Sequence, residues 1–290
     1  MVYSIKNEYL SAEFSSLGAE LLSVKNGEGL EFIWQGDEKF WGERSPLLFP
    51  YCCRLFGGHY TYEGERFYGE IHGFIRKTEF SDVECLGDKI TFKARANDET
   101  KKLYPFDFEF EMTYALKEKS LVCSMTLKNP SPDEIYYTAG MHPGFNVPLE
   151  GEFEDWRFEF AEAASPRRII FSEAKFCKDY VDFSPELKDG KILPLTHSLF
   201  DKEAIFLLDV PHSISIRSDK SEHFVTVDYP DASVLGFWQP EFTDAPFVCI
   251  EPLCGMASID GQVDDIKTKA FTRAVASGES HTDTVTITFN

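Results

Sequence analysis

Apolar and polar residues alternate with a period of two along much of this 290-residue chain. Phe106, Phe108, Phe110, Met112, Tyr114 and Leu116 alternate with Asp107, Glu109, Glu111, Thr113 and Ala115, the pattern of a half-buried strand with one wet face. Leu121, Cys123, Met125 and Leu127 repeat it, as do Trp156, Phe158 and Phe160, then Val225, Val227 and Tyr229, and finally Val285, Ile287 and Phe289. Turn-forming clusters separate the runs: Lys117-Glu118-Lys119, Asn129-Pro130-Ser131-Pro132, Asp189-Gly190-Lys191 and Ser277-Gly278-Glu279. Helical periodicity is almost absent, and a short turn near Ser184–Leu187 is the best place for one. Many strands, short loops and no βαβ rhythm predict an all-β chain, a sandwich of large antiparallel sheets. With no internal repeat, no low-complexity linker and no shift in composition, the expected organisation is one domain over residues 1–290.

Charge narrows the partners. The formal net charge is -20 and the isoelectric point about 4.7. Nucleic acid and anionic membranes both demand a basic face, so neither is an expected partner. The seven cysteines, Cys52, Cys53, Cys85, Cys123, Cys177, Cys249 and Cys254, include no CxxC pair, and most lie in apolar runs. That spacing supports neither a zinc knuckle nor a redox motif. The opening residues show no signal-peptide core, and no run is apolar for the ~18 residues a membrane span needs. Reduced thiols in a cytoplasm are the expected setting.

Three short islands carry most of the candidate chemistry: His72-Gly73-Phe74-Ile75-Arg76, His142-Pro143-Gly144-Phe145-Asn146 and Cys249-Ile250-Glu251-Pro252. Each sets a strong polar side chain among Gly, Pro and large apolar residues. His142 follows the run Tyr136-Tyr137-Thr138-Ala139-Gly140-Met141, at what should be a sheet rim, where sites are often built. Glu251 is the lone carboxylate in the apolar strand Ala245–Cys254. Burying it unpaired would shift its pKa rather than leave it charged. It is either a catalytic carboxylate or the buried partner of an arginine such as Arg54, which closes the apolar run Ser45–Cys53. Arg54 and Arg76 suit hydroxyl pairs, carboxylates or a phosphate. Trp238 and Gln239 offer an aromatic floor and an amide for a sugar ring, although Trp238 suits the core equally well. Of the five remaining histidines, His197, His212, His223 and His281 stand in polar, turn-like surroundings and read as surface residues. No GxGxxG, P-loop, HExxH or GxSxG occurs, so no cofactor is expected. His72, His142 and Glu251 lie too far apart in the chain to specify a metal geometry, and no metal is expected.

Taken in order, Gly18-Ala19-Glu20-Leu21, Trp34, Trp41, Ser45-Pro46-Leu47-Leu48-Phe49-Pro50 and the three islands resemble the aldose 1-epimerases, most of all a LacX-like branch. The resemblance spans nearly the whole chain. It implies a galactose-mutarotase-like supersandwich with a sugar bound in an open cleft on one sheet. It further implies Glu251 as general base, His142 as general acid, and His72 and Arg54 as groups that hold sugar hydroxyls. Two departures stand out. Where the galactose-specific enzymes carry an aspartate before a late strand, this chain has Glu203, with Asp201 two residues earlier. The hexose-6-phosphate branch usually follows its His-Gly-Phe-x-Arg island with a tryptophan, and here Lys77 follows.

These readings make the chain an isomerase that interconverts the α and β anomers of a hexose. A monosaccharide would be its partner, and a monomer or homodimer its assembly. Two alternatives accompany that expectation: a hexose-phosphate mutarotase with Arg54 and Arg76 on the phosphate, and a non-catalytic carbohydrate-binding or sensor protein of the same fold.

Overall fold

The alternation of Phe110, Met112, Tyr114 and Leu116 becomes one face of the strand Glu109–Lys117, with those four side chains buried and their neighbours half-exposed. The strand turns through Glu118 and Lys119 and pairs antiparallel with Ser120–Lys128, which buries Leu121, Cys123, Met125 and Leu127 on the same face. The computed structural model, which describes residues 1–183 and 187–290, extends this hairpin into a nine-stranded antiparallel sheet. Its order is Ile192–Pro194, Trp156–Phe160, Ser213–Ser218, Val225–Asp228, Ser280–Phe289, Ser120–Lys128, Glu109–Lys117, Lys89–Arg95 and Asp82–Leu86.

A second, eight-stranded sheet carries the candidate chemistry. It runs Cys177–Phe183, Arg167–Phe171, Ile205–Leu208, Val234–Trp238, Phe247–Cys254, Ala139–Met141 and Leu47–Leu48, with Gly144–Asn146 also paired to Phe247–Cys254. The two sheets lie face to face. Phe158 of the first stacks on Phe237 of the second with ring centroids 4.2 Å apart, and Phe110 meets Phe49 at 5.1 Å. Stacked aromatics add a geometric preference to the area they remove from water. The expected sandwich of large antiparallel sheets is the architecture found.

Strand Phe247–Cys254 is buried along its whole length, on both faces. Its even-numbered residues Val248 and Ile250 enter the main core between the sheets. Its odd-numbered residues turn the other way, where Phe247 and Cys249 join a small cluster with Trp34, and Leu253 joins another with Phe206 and Val234. Glu251 is odd-numbered. Strand periodicity therefore sends it away from the main core and onto the outer face, where loops roof the sheet.

Helix is scarce among the described residues, as the pattern predicts. The helical turn near Ser184–Leu187 falls mostly outside the described residues. The α-helix found is Asp98–Leu103, capped by Asn97, whose side chain accepts from the Glu99 and Thr100 amides. Six residues are too few for a period of 3.6 to register, and the capping side chain is the visible signal. No helix among the described residues is long and apolar enough to cross a membrane. All seven cysteines are unpaired, and only Cys85 is exposed.

Phe49 links the sheet to its roof. The ring is fully buried among Phe74, Tyr104, Phe108, Phe110 and Tyr137, and its carbonyl accepts from the Phe74 amide at 3.0 Å and the Ile75 amide at 3.3 Å. Phe49→Ala should lower the unfolding free energy by about 3–5 kcal/mol, the usual range for truncating a buried Phe. Urea unfolding followed by tryptophan fluorescence measures it. A loss below about 1 kcal/mol would mean that the ring is not packed as described.

Candidate active site

His142 owes its place to strand register. Gly140 pairs with Leu253 on one side of an interruption, and Gly144 pairs with Cys249 on the other. The register is the same on both sides, so His142 falls opposite Glu251. Pro143 has no amide hydrogen to give the ladder, but its carbonyl accepts from the Ile250 amide at 3.3 Å. The imidazole and the carboxyl consequently share one face, with Nε2 of His142 3.2 Å from Oε1 of Glu251. On the other flank of Glu251 the register sets Gly236. A Cβ there would stand 2.8 Å from Phe206 and 3.0 Å from the Cβ of Glu251, so glycine leaves the room that the carboxyl needs.

The pair stands at the floor of a cavity of about 520 Å³, a size typical of small-molecule sites. The aromatic wall is tight. Trp41 lies 5.0 Å from the His142 ring, Trp238 lies 5.5 Å from it, and the two indoles meet edge to face at 5.3 Å. Burial governs both ionisable groups. It pushes the Glu251 carboxyl up to about 8 and the His142 imidazole down to about 4. Near neutral pH the pair is therefore uncharged, with one proton that Nε2 and Oε1 can exchange. Nδ1 of His142 is buried without a hydrogen-bond partner. Glu251 is thus partnered by His142 and not by Arg54, which removes the arginine-partner alternative.

His72 approaches from a loop. Its Nδ1 accepts from the Cys53 amide at 3.1 Å, so Nε2 carries the hydrogen of the neutral ring. Burial holds its pKa well below the ordinary value, reinforced by His142, Arg76 and Arg54. Its ring sits edge-on to that of His142 at 5.8 Å. The backbone is unusual here: His72 has φ of +67° and Gly73 of +72°. A Cβ on Gly73 would be 2.2 Å from the Phe49 carbonyl oxygen, so only glycine fits.

The other expected site residues divide. Arg54, Arg76, Glu203 and Trp238 all line the cavity. Arg76 is tied to Glu43, and Glu203 Oε1 accepts from Arg168 at 3.1 Å. Arg54 is exposed and has no ion-pair partner among the described residues. Asp201 lies away from the lining and accepts the Phe242 amide at 3.2 Å. Gln239 departs from the expectation of a sugar-facing amide. Its side chain is buried outside the cavity, donating to the Ala245 and Phe247 carbonyls at 2.9 and 2.7 Å and bonded to Nδ1 of His197 at 3.0 Å. His197 likewise is no simple surface residue, since it stacks on Phe153 at 3.9 Å. Successive strand residues point to opposite faces, so Trp238 and Gln239 could not both face a ligand.

Sequence reasoning did not assign Trp41, Glu43, Phe206, Lys175 or Glu241 to the site, yet all line the cavity. Trp41 was visible in the segment Phe40-Trp41-Gly42, and its place over His142 follows from the loop. Lys175 and Glu241 are ion-paired to each other, a contact between distant loops that no local pattern signals. No group of three or more His, Cys, Asp or Glu side chains among the described residues is arranged to hold a metal ion.

The raised Glu251 pKa sets a direction for stability. A carboxyl that binds its proton more tightly folded than unfolded favours the folded state below its unfolded pKa, near 4.5, and that advantage is lost as pH rises through about 8. The stability of the wild type relative to Glu251→Gln should therefore fall between pH 4.5 and 8, by about 1.4 kcal/mol per unit at most. Chemical denaturation of both proteins across that range checks it. A difference that is flat or rises with pH would place an ionised Glu251 in the folded protein.

Comparison with known proteins identifies the family and the fold. The family model described as aldose 1-epimerase matches residues 1–288. The plasmid-encoded LacX protein of Lactococcus lactis subsp. lactis is 36% identical over 270 residues, covering 89% of each chain. A galactose mutarotase-related enzyme from Lactobacillus acidophilus is 31% identical, with a TM-score of 0.93 over all of this chain and 97% of that one. A galactose mutarotase-like protein from Lactobacillus casei ATCC 334 superposes with a TM-score of 0.94 at 28% identity over the full length of both. The sandwich described above is thus the galactose-mutarotase-like fold, and this chain belongs to the aldose 1-epimerase family.

Proposed function

We propose that this protein is a mutarotase for an unphosphorylated hexose, with Glu251 as general base and His142 as general acid. The observation that carries the reading is the buried contact of 3.2 Å between Nε2 of His142 and Oε1 of Glu251 at the floor of a sugar-sized cavity. Anomer exchange requires a proton to leave the C1 hydroxyl and another to reach the ring oxygen, and those two oxygens are bonded to the same carbon. A donor and an acceptor this close can serve both at once.

The resting pair holds the one proton that the reaction needs. Moving it from Glu251 to His142 yields a carboxylate beside an imidazolium. The carboxylate takes the hydrogen of O1 while the imidazolium gives its own to O5, and the C1–O5 bond breaks. The C1 oxygen is then the aldehyde oxygen, and the pair has returned to carboxylic acid and neutral imidazole. Burial favours that uncharged state, so the cavity lowers the energy of the open-chain stage relative to the charged pair. Rotation about C1–C2 and the reverse transfers close the ring on its other face. Electrons are neither gained nor lost. In this reading His72, through Nε2–H, and Arg54, through its guanidinium, bind hydroxyls, and Trp41 and Trp238 flank the apolar face of the ring; all four line the cavity.

Charge at the cavity favours a neutral sugar over a sugar phosphate. Arg76, Lys175 and Arg168 are each ion-paired, with Glu43, Glu241 and Glu203 respectively. Only Arg54, among the described cationic residues lining the cavity, is without such a partner, and a dianionic group would call for more than one.

Glu251→Gln and His142→Asn should each lower kcat for anomer exchange by ~10²–10⁴-fold while sugar binding changes little. Polarimetry with freshly dissolved α-D-glucose or α-D-galactose, together with calorimetric titration, separates the two effects. Arg54→Ala should instead raise KM. A fully active Glu251→Gln protein would defeat the assignment. The pH profile offers an independent check, since turnover needs one proton on the pair. The kcat/KM for anomer exchange should be level between about pH 4 and about pH 8 and fall outside those limits. A profile that instead rises through pH 8 would show that the pair works only after losing its proton.

A further inference from the structure

Arg54 poses a question of placement. Its side chain is exposed, lines the cavity and has no ion-pair partner among the described residues, so nothing at its charged end holds it. Its backbone is held instead. The Ser258 amide donates to the Arg54 carbonyl at 2.9 Å, and the Phe56 amide donates to Oγ of Ser258 at 2.9 Å. One fully buried serine thus clasps the chain on both sides of Leu55.

Ser258 is itself fixed from behind. Its hydroxyl donates to Oδ2 of Asp264 at 2.5 Å, and the same oxygen meets Nζ of Lys269 at 2.7 Å. The Lys269 side chain is 2% exposed and that of Asp264 14%. The Asp264 carbonyl accepts from the Thr61 amide at 2.8 Å, which anchors the chain to a second strand. None of Ser258, Asp264 and Lys269 lines the cavity.

The clasped segment also governs His72. The Cys53 amide donates to Nδ1 of His72, and the Cys53 carbonyl accepts from the His72 amide, both at 3.1 Å. Cys53 has φ of +63° and His72 of +67°, conformations that persist in such residues only where the surroundings dictate them. A buried ion pair is an uneconomical way to add stability, because well-packed apolar residues in its place are often neutral or stabilising. Holding a strained segment in one geometry is a task that the pair suits better.

We propose that Ser258, Asp264 and Lys269 form a buried positioning relay that sets substrate affinity through Arg54 and His72. The relay rests on the reading that these two residues hold the sugar. It assigns to the site three residues that touch neither the substrate nor the proton-transferring pair.

Ser258→Ala is the direct test. It should raise KM for anomer exchange about tenfold, the scale of losing a hydrogen bond or two, with kcat within about twofold. The increases from Ser258→Ala and Arg54→Ala should be less than multiplicative when combined, because the relay acts partly through Arg54. Should Ser258→Ala fail to fold, Ser258→Cys keeps the volume and a weak donor and should give an intermediate KM. An activity-free readout accompanies these: in protein labelled with ¹⁵N-histidine, the His72 ring resonances should shift in the serine variant while those of His142 stay in place. If the wild type exchanges no anomers of any aldose, the functional reading fails, and the His72 shift alone decides whether the relay exists. Unchanged KM, fully multiplicative effects or an unmoved His72 resonance would overturn the proposal and leave Ser258 a purely structural residue.

Discussion

A carboxyl group buried in an apolar strand is the constraint around which this site is arranged. Glu251 lies between Ile250 and Pro252 on a strand with no exposed residue, and an isolated carboxylate there would be expensive. The structure resolves the problem without a counter-cation. It removes the charge, setting a neutral imidazole at 3.2 Å and letting burial keep the proton on the pair. The same arrangement leaves a proton that can move between two atoms. The acid and the base proposed for the reaction would thus arise from one physical cause rather than from two separately tuned groups.

Everything around the pair preserves its geometry. Unbroken register on both sides of Pro143 fixes His142 opposite Glu251. Gly236 leaves space beside the carboxyl, and the two indoles of Trp41 and Trp238 confine the imidazole. The groups proposed to bind sugar hydroxyls, His72 and Arg54, come from loops, and these carry the strained backbone: positive φ at Cys53, His72 and Gly73. Rigid sheet for the proposed proton-transferring pair and over-determined loops for the proposed binding groups would suit a reaction that needs accurate placement but no large motion.

Much of this was legible in the chain. The period of two announced the strands, and Glu251 stood out because a lone carboxylate interrupts an apolar run. His142 was legible from the Met-His-Pro-Gly ending of a strand, but its pairing with Glu251 was not, since register across a sheet depends on contacts more than a hundred residues apart. Gln239 does not share the cavity with Trp238, because strand neighbours face opposite ways. At its ordinary pKa Glu251 would be ionised at neutral pH; its burial in the fold raises that pKa and favours the neutral form, the direction that a lone carboxylate in an apolar strand implies. Lys269 and Asp264 could not have been assigned, because the role proposed for them rests on a chain of hydrogen bonds between distant segments.

The central claim is the location of one proton. Neutron diffraction from perdeuterated crystals grown at pH 7 would observe it directly. The account predicts deuterium on a Glu251 carboxyl oxygen and a His142 ring bearing deuterium on one nitrogen only. A bare Glu251 carboxylate facing a His142 ring with deuterium on both nitrogens would contradict it.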